Sequence, residues 1–110
     1  MDSRLLWGAV EMLILEVISH SPTYGYEIAQ TVTSESNGYF DLKEGSLYPA
    51  LHRLEQQKYL ASFWQEVDGR RRKYYKLSAA GQRALDAKKT AWKAFSKGVD
   101  GVLGAQLGKA

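Results

Sequence analysis

Apolar positions recur along this chain at two different periods, and the changes of period mark its elements. Residues 5 to 19 are almost wholly apolar, broken only by Glu11 and Glu16, which predicts a helix buried on most of its sides. Ser21-Pro22-Thr23 stops it, and Thr23 is placed to cap a second helix carrying Tyr24, Ile28 and Val32 at four-residue steps. Asn37-Gly38 ends that helix, and Tyr39 to Leu42 reads as a short extended piece. Residues 45 to 60 form a third helix: Ser46 is a good N-cap, Pro49 falls in the first turn, and Leu47, Leu51 and Leu54 make a narrow apolar seam.

From Ala61 the period changes to two. Ala61, Phe63, Gln65 and Val67 alternate with Ser62, Trp64 and Glu66, and Lys73, Tyr75 and Leu77 continue the alternation beyond Asp68-Gly69. Asp-Gly between alternating runs is a strong hairpin signal, because the turn needs positive φ. Tyr74 and Tyr75 should then split, one packing inward and one outward. Ser78 is placed to cap a last helix over about 79 to 103. The order helix, helix, short strand, helix, hairpin, helix predicts a mainly α fold with a small β-hairpin. It reads as a winged helix-turn-helix over residues 1–78, followed at 79–110 by a C-terminal dimerisation helix and tail.

Charge adds a function to this outline. The chain has 110 residues, a net charge of +3 and a pI near 9.2. The basic excess is mild, but Arg70, Arg71, Arg72 and Lys73 place four like charges in a row at the hairpin. Such a cluster repels itself and suits an anionic partner. With the leucine seam inward, the outer face of the third helix holds Gly45, Pro49, His52, Arg53 and Gln56, flanked by Ser46 and Tyr48. That face can read bases in a major groove, with Lys43 and the helix N-terminus favouring a phosphate. The plain alternatives are a solvated helix face and a solvated basic loop. On the last helix Leu85, Trp92 and Val99 are seven apart, and Phe95 and Val102 continue an a/d seam marred by Lys88. Gly98, Gly101 and Gly104 each cost that helix about 1 kcal/mol, so a partner helix in a second copy is expected. Trp92 reads as a dimer-core aromatic or, with Phe95 and Trp7, as a wall for a planar aromatic effector.

Other chemistry finds little support. No cysteine is present, and His20 and His52 are the only histidines, so neither thiol chemistry nor a metal site is expected. No phosphate loop, nucleophile elbow or paired-carboxylate motif appears, so neither catalysis nor a cofactor is expected. Nothing resembles a membrane span or a secretory signal, and a cytoplasmic protein is expected.

Three stretches carry a resemblance: "YGYEI" (24–28), "EGSLYPALHRLEQQKYL" (44–60) and "GRRRKYYKLSAAG" (69–81). In that order, within residues 5 to 81, they resemble PadR-family transcriptional regulators, in the short form with a single C-terminal helix. The resemblance implies a homodimeric repressor that binds a double-stranded operator and in many members releases it on binding a small aromatic effector. It places Tyr24, Ser46, Tyr48, His52 and Arg53 in the DNA-reading unit and Arg70 to Lys73 in the wing. It also puts Trp92 where some short-form members hold planar drugs. A winged-helix protein-interaction module that never meets DNA is the alternative.

Overall fold

The computed structural model describes residues 3–108, with side chains over residues 8–104. Four helices and three strands follow one another as α1 (Ser3–His20), β1 (Thr23–Tyr24), α2 (Gly25–Glu35), α3 (Glu44–Gln56), β2 (Leu60–Val67), β3 (Arg70–Leu77) and α4 (Ala79–Gly108). The strands form one antiparallel sheet in the order β1-β3-β2. Val10, Ile14, Leu15 and Ile18 of α1 meet Ile28 of α2, the leucines of α3, Leu60, Tyr75 and Leu85 in a single core. The seam expected on the third helix is there, since Leu47, Leu51 and Leu54 are all fully buried.

The hairpin is the most literal translation of sequence into structure. Asp68 (φ 51°) and Gly69 (φ 77°) both take positive φ, the requirement of a two-residue type I′ turn. Leu60 pairs with Leu77 at one end of the ladder and Val67 with Arg70 at the other. Tyr75 is buried while Tyr74 stays partly exposed, as alternation requires. Burial pushes the Tyr75 hydroxyl's pKa up.

Four local expectations are corrected. Thr23 does not cap α2 but lies in β1 opposite Tyr75, and the N-cap is Tyr24, which makes no side-chain capping bond. Tyr39 to Leu42 forms no strand, because the free edge of β3 is taken by Thr23–Tyr24. Phe40 and Leu42 still pack on the core, which accounts for their strand-like alternation. The third helix begins earlier than expected: Lys43 is the N-cap, so Ser46 lies inside α3 and Pro49 sits in its second turn. Proline there removes the helical bond to the carbonyl of Gly45, an exposed residue. The helix also stops earlier, at Gln56, where Lys58 takes φ 67° and Tyr59 N–H donates to the Leu54 carbonyl (3.0 Å).

Ser78 does cap α4. Gly81 N–H donates to Ser78 Oγ (3.0 Å), and Ser78 Oγ donates to the Lys58 carbonyl (2.6 Å). One side chain thus joins the end of α3 to the start of α4. α4 runs past the expected end to Gly108, through Gly98, Gly101 and Gly104. Its 30 residues account for the elongated 61 × 28 × 23 Å shape.

Candidate nucleic-acid interface

The inward leucines orient α3. At 100° per residue, Gly45, Pro49, His52 and Gln56 point directly away from the core, and all four are exposed. Tyr48 and Glu55 lie on the flank towards the sheet, and Ser46 and Arg53 on the flank towards α1. The two flanks have different fates.

Towards the sheet, Glu55 fastens the wing. Ser62 Oγ of β2 donates to Glu55 Oε2 (2.5 Å), and Lys73 Nζ of β3 lies 3.4 Å from Glu55 Oε1. The Ser62 hydroxyl and then the Lys73 ammonium hold the Glu55 carboxyl below its ordinary value of 4.5. A carboxyl whose folded value is depressed adds stability that is fully present above the unfolded value and lost as pH falls through the folded one. The thermal midpoint should therefore be higher than that of Glu55→Gln at neutral pH, and the gap should close as pH falls below 4.5. Calorimetry of both proteins across pH 3 to 7 would check it, roughly spanning the carboxylate range.

Lys73 is thus a strut between β3 and α3, with its Nζ also 5.4 Å from the Tyr75 ring centroid, and not part of an open cationic tip. The strand alternation divides the arginines. Arg71 lies on the α3 side of the sheet, its guanidinium 4.9 Å from the Trp64 ring. Arg72 lies 4.0 Å from the Tyr24 ring on the other face, where Tyr24, Tyr74 and Phe63 form a continuous aromatic row (ring centroids 5.4 and 5.6 Å apart). Arg70 is exposed beside the turn.

Towards α1, Arg53 is held. Its Nε and Nη2 both reach Glu11 Oε1, at 3.2 and 3.1 Å. Arg53 stays exposed like His52, with its side chain 46% accessible, while also linking α3 to α1. Lys43 is exposed and pairs with Asp41 (3.0 Å), a surface pair of small worth.

Tyr48 crosses to the start of α2. A Cβ on Gly25 would lie 2.7 Å from the Tyr48 hydroxyl, so the Tyr48 ring rests on this glycine and a larger residue would push the ring aside. Tyr24, Tyr26, Tyr48, Trp64, Arg71 and Arg72 then line an open groove of about 660 Å³ between the helix pair and the wing. Sequence reasoning does not single out Trp64 or Tyr26. Trp64 was legible as an outward residue of an alternating strand next to a basic run, whereas Tyr26 is placed only by the packing of α2.

This arrangement, two helices at a turn with a basic hairpin beside the second, has close counterparts among known proteins. Residues 14–87 match the transcriptional regulator PadR-like family. The chain belongs to that family. A curated relative, transcriptional regulator Rv3488 of Mycobacterium tuberculosis, is 34% identical over 94 residues, covering 86% of this chain and 85% of its own. Among solved structures, a PadR family transcription regulator from Clostridium difficile R20291 is 35% identical with a TM-score of 0.76, covering 86% of this chain and 97% of its own. A transcriptional regulator from Clostridium thermocellum is 29% identical with a TM-score of 0.81, covering 88% of this chain and 95% of its own. As a PadR-like protein the chain is a DNA-binding transcriptional regulator and not an enzyme. Among the described residues, no helix is long and apolar enough to cross a membrane.

The remaining site residues of this PadR-like chain lie on α4. Leu85 is 1% exposed and belongs to the core of its own chain, so it has no surface left for a partner. Trp92, Phe95, Val99 and Val102 are exposed instead, with Leu103 beside them. Trp92 and Phe95 stack at 5.8 Å and, with Met12 of α1, line a crevice of about 370 Å³. Trp7 lies in α1, but its side chain is outside the described residues.

Proposed function

We propose that this PadR-like regulator is a homodimeric repressor of a pseudo-palindromic operator, with residues 1–78 as the DNA-reading unit and 79–110 as the pairing helix and tail. One observation carries the reading. Tyr48 on the flank of α3 and Arg71 and Arg72 of the hairpin line one groove, Glu55 ties α3 to the hairpin, and the outward stripe of α3 is exposed beside it. His52 and Pro49 would meet base edges in the major groove, with Tyr48 and Ser46 at the margins. Arg70, Arg71 and Arg72 would take phosphate or minor groove on either side of the hairpin. Both α2 and α3 start without a side-chain cap, so their first N–H groups, with Lys43 and Tyr24 nearby, suit phosphates. Arg53, half-exposed beside His52, would exchange its Glu11 partner for a base edge or phosphate.

Dimerisation is supported by the apolar stripe Trp92, Phe95, Val99 and Val102, which no part of the same chain covers among the described residues. Two-fold pairing would set half-sites about 34 Å apart. A planar aromatic effector would enter the Trp92–Phe95 crevice, completed by the second copy. Sedimentation should give twice the 12.4 kDa chain mass at micromolar concentration, and Val99→Asp should return the single chain mass.

The decisive experiment is selection of bound fragments from genomic DNA, followed by anisotropy titration of the selected duplex. His52→Ala should lose about 1–3 kcal/mol of discrimination between operator and scrambled duplex, with the salt dependence unchanged. A chain that selects no duplex, but retains an acidic protein, would instead be an interaction module.

A further inference from the structure

A second groove, of about 620 Å³, opens between α1 and α2, and neither α3 nor the wing contributes to it. Its apolar walls come from Leu13, Val17, Val32 and Phe40. Its polar lining joins three carboxylates to the His20 imidazole and the hydroxyls of Ser21, Thr23, Thr31 and Ser36. Glu16 stands on α1, and Glu27 and Glu35 stand two turns apart on α2. Glu16 accepts from Lys89 of α4 (2.7 Å) and bonds His20 (2.9 Å). Glu27 and Glu35 are exposed to the groove's solvent, and no cation bonds either of them among the described residues. A protein of net charge +3 has here a local excess of carboxylate over hydrocarbon walls.

An independent observation points to a ligand. Thr23 also lines the groove and is 4% exposed, and its hydroxyl oxygen is the one buried side-chain polar atom among the described residues without a hydrogen-bond partner. A buried unpaired hydroxyl costs about 1–3 kcal/mol, which a donor entering the groove would recover. Carboxylates repel an anion, and a neutral hydrocarbon leaves both the charges and the hydroxyl unanswered. An ammonium on an aromatic or aliphatic body answers all three features, and the volume is ample for a body of one ring or more.

We propose that the α1–α2 groove is a binding site for small organic amines, distinct from the Trp92–Phe95 crevice. The hydrocarbon body lies on Leu13, Val17, Val32 and Phe40, and the ammonium meets Glu27 at the end of the groove that holds Thr23 and Glu16, while Glu35, two turns along α2, adds negative charge at the other end. Because Glu16 is already bonded to Lys89, an amine arriving there competes with the tie between α1 and α4. The site would thus sense the seating of α4 on the winged unit.

The test uses the full chain labelled for amide NMR and 2-phenylethylammonium as the probe, with 2-phenylethanol as its neutral isostere. Saturable shifts at α1 and α2 amides around Thr23 are expected from the amine and none from the alcohol at equal concentration. Glu27→Gln with Glu35→Gln, both exposed and conservative, should weaken binding about 10-fold, Lys89→Gln should strengthen it about 5-fold, and Trp92→Ala should leave it unchanged. The proposal is overturned if the alcohol binds as well as the amine, or if the paired glutamine variant binds with unchanged affinity. It is equally overturned if the shifts centre on Trp92. Concentration-dependent protection of these amides without ligand would also overturn it, by showing that a second copy fills the groove.

Discussion

Alanine at Arg70, Arg71 and Arg72 together should weaken operator binding about 500-fold at 0.1 M salt. Each phosphate left without its arginine lowers the slope of log affinity against log salt by about 0.9, so three lower it by at most about 2.7, and one decade below 1 M salt converts that into the stated factor. The expected slope change, measured by anisotropy between 50 and 300 mM salt, is the sharper readout, since roughly this range resolves a single phosphate. Folding should survive the change. Like charges are removed from adjacent positions, and the cation–ring pairings of Arg71 with Trp64 and Arg72 with Tyr24 are each worth only about 0.5–1 kcal/mol at exposed sites. Single substitutions add a test of geometry. Arg71 and Arg72 lie on opposite faces of β3, so equal slope changes would mean that DNA embraces both faces of the wing. A variant with all three alanines, a native thermal midpoint and unchanged affinity and slope would remove the wing from the interface.

The second large effect concerns one methyl group. Gly81→Ala places a Cβ 2.2 Å from the Tyr59 carbonyl oxygen and 2.8 Å from Leu77 Cδ1. A carbonyl fixed between α3 and β2 cannot turn away as a long side chain can. The first turn of α4 must therefore lift, breaking the Gly81–Ser78 bond with it. About 3 kcal/mol of destabilisation is expected, at the upper end of overpacking costs, and a fall of more than about 10 °C in the thermal midpoint. Gly101→Ala is the control. It sits on the same helix with nothing within 4 Å, and should stabilise by about 1 kcal/mol. Opposite signs for one kind of substitution, read by calorimetry, would establish that Gly81 is required for close packing. Equal effects would refute it.

Gly81 also illustrates how the motifs divide between what is readable and what is not. "GRRRKYYKLSAAG" announces its hairpin through Asp68-Gly69 and the alternation around it, and Ser78 announces a cap. The final glycine looks like an ordinary position in a helix start until the carbonyl of Tyr59 is placed against it. Glu55, a charged residue on a helix flank, carries no signal in the sequence either. It gains its role only when Ser62, 7 positions on, and Lys73, 18 positions on, fold back to it. Arg53 is readable only in part for the same reason: its position next to His52 predicts an exposed side chain, which it keeps, but not its pairing with Glu11, 42 positions away.

What the sequence alone determined was everything governed by near neighbours: the apolar seam of α3, the turn at Asp68-Gly69, the cap at Ser78, the charge at Arg70 to Arg72 and the motif order that identifies the family. These depend on local φ, on side-chain period and on charge density, all written within a few positions. The tertiary structure alone decided which edge of β3 is occupied, which of the basic residues are tied to carboxylates, where Tyr48 rests on Gly25, and that Leu85 is buried in its own chain while Trp92 is not. Those outcomes are contests between groups distant in the chain for one place, and a contest of that kind is settled by packing in three dimensions.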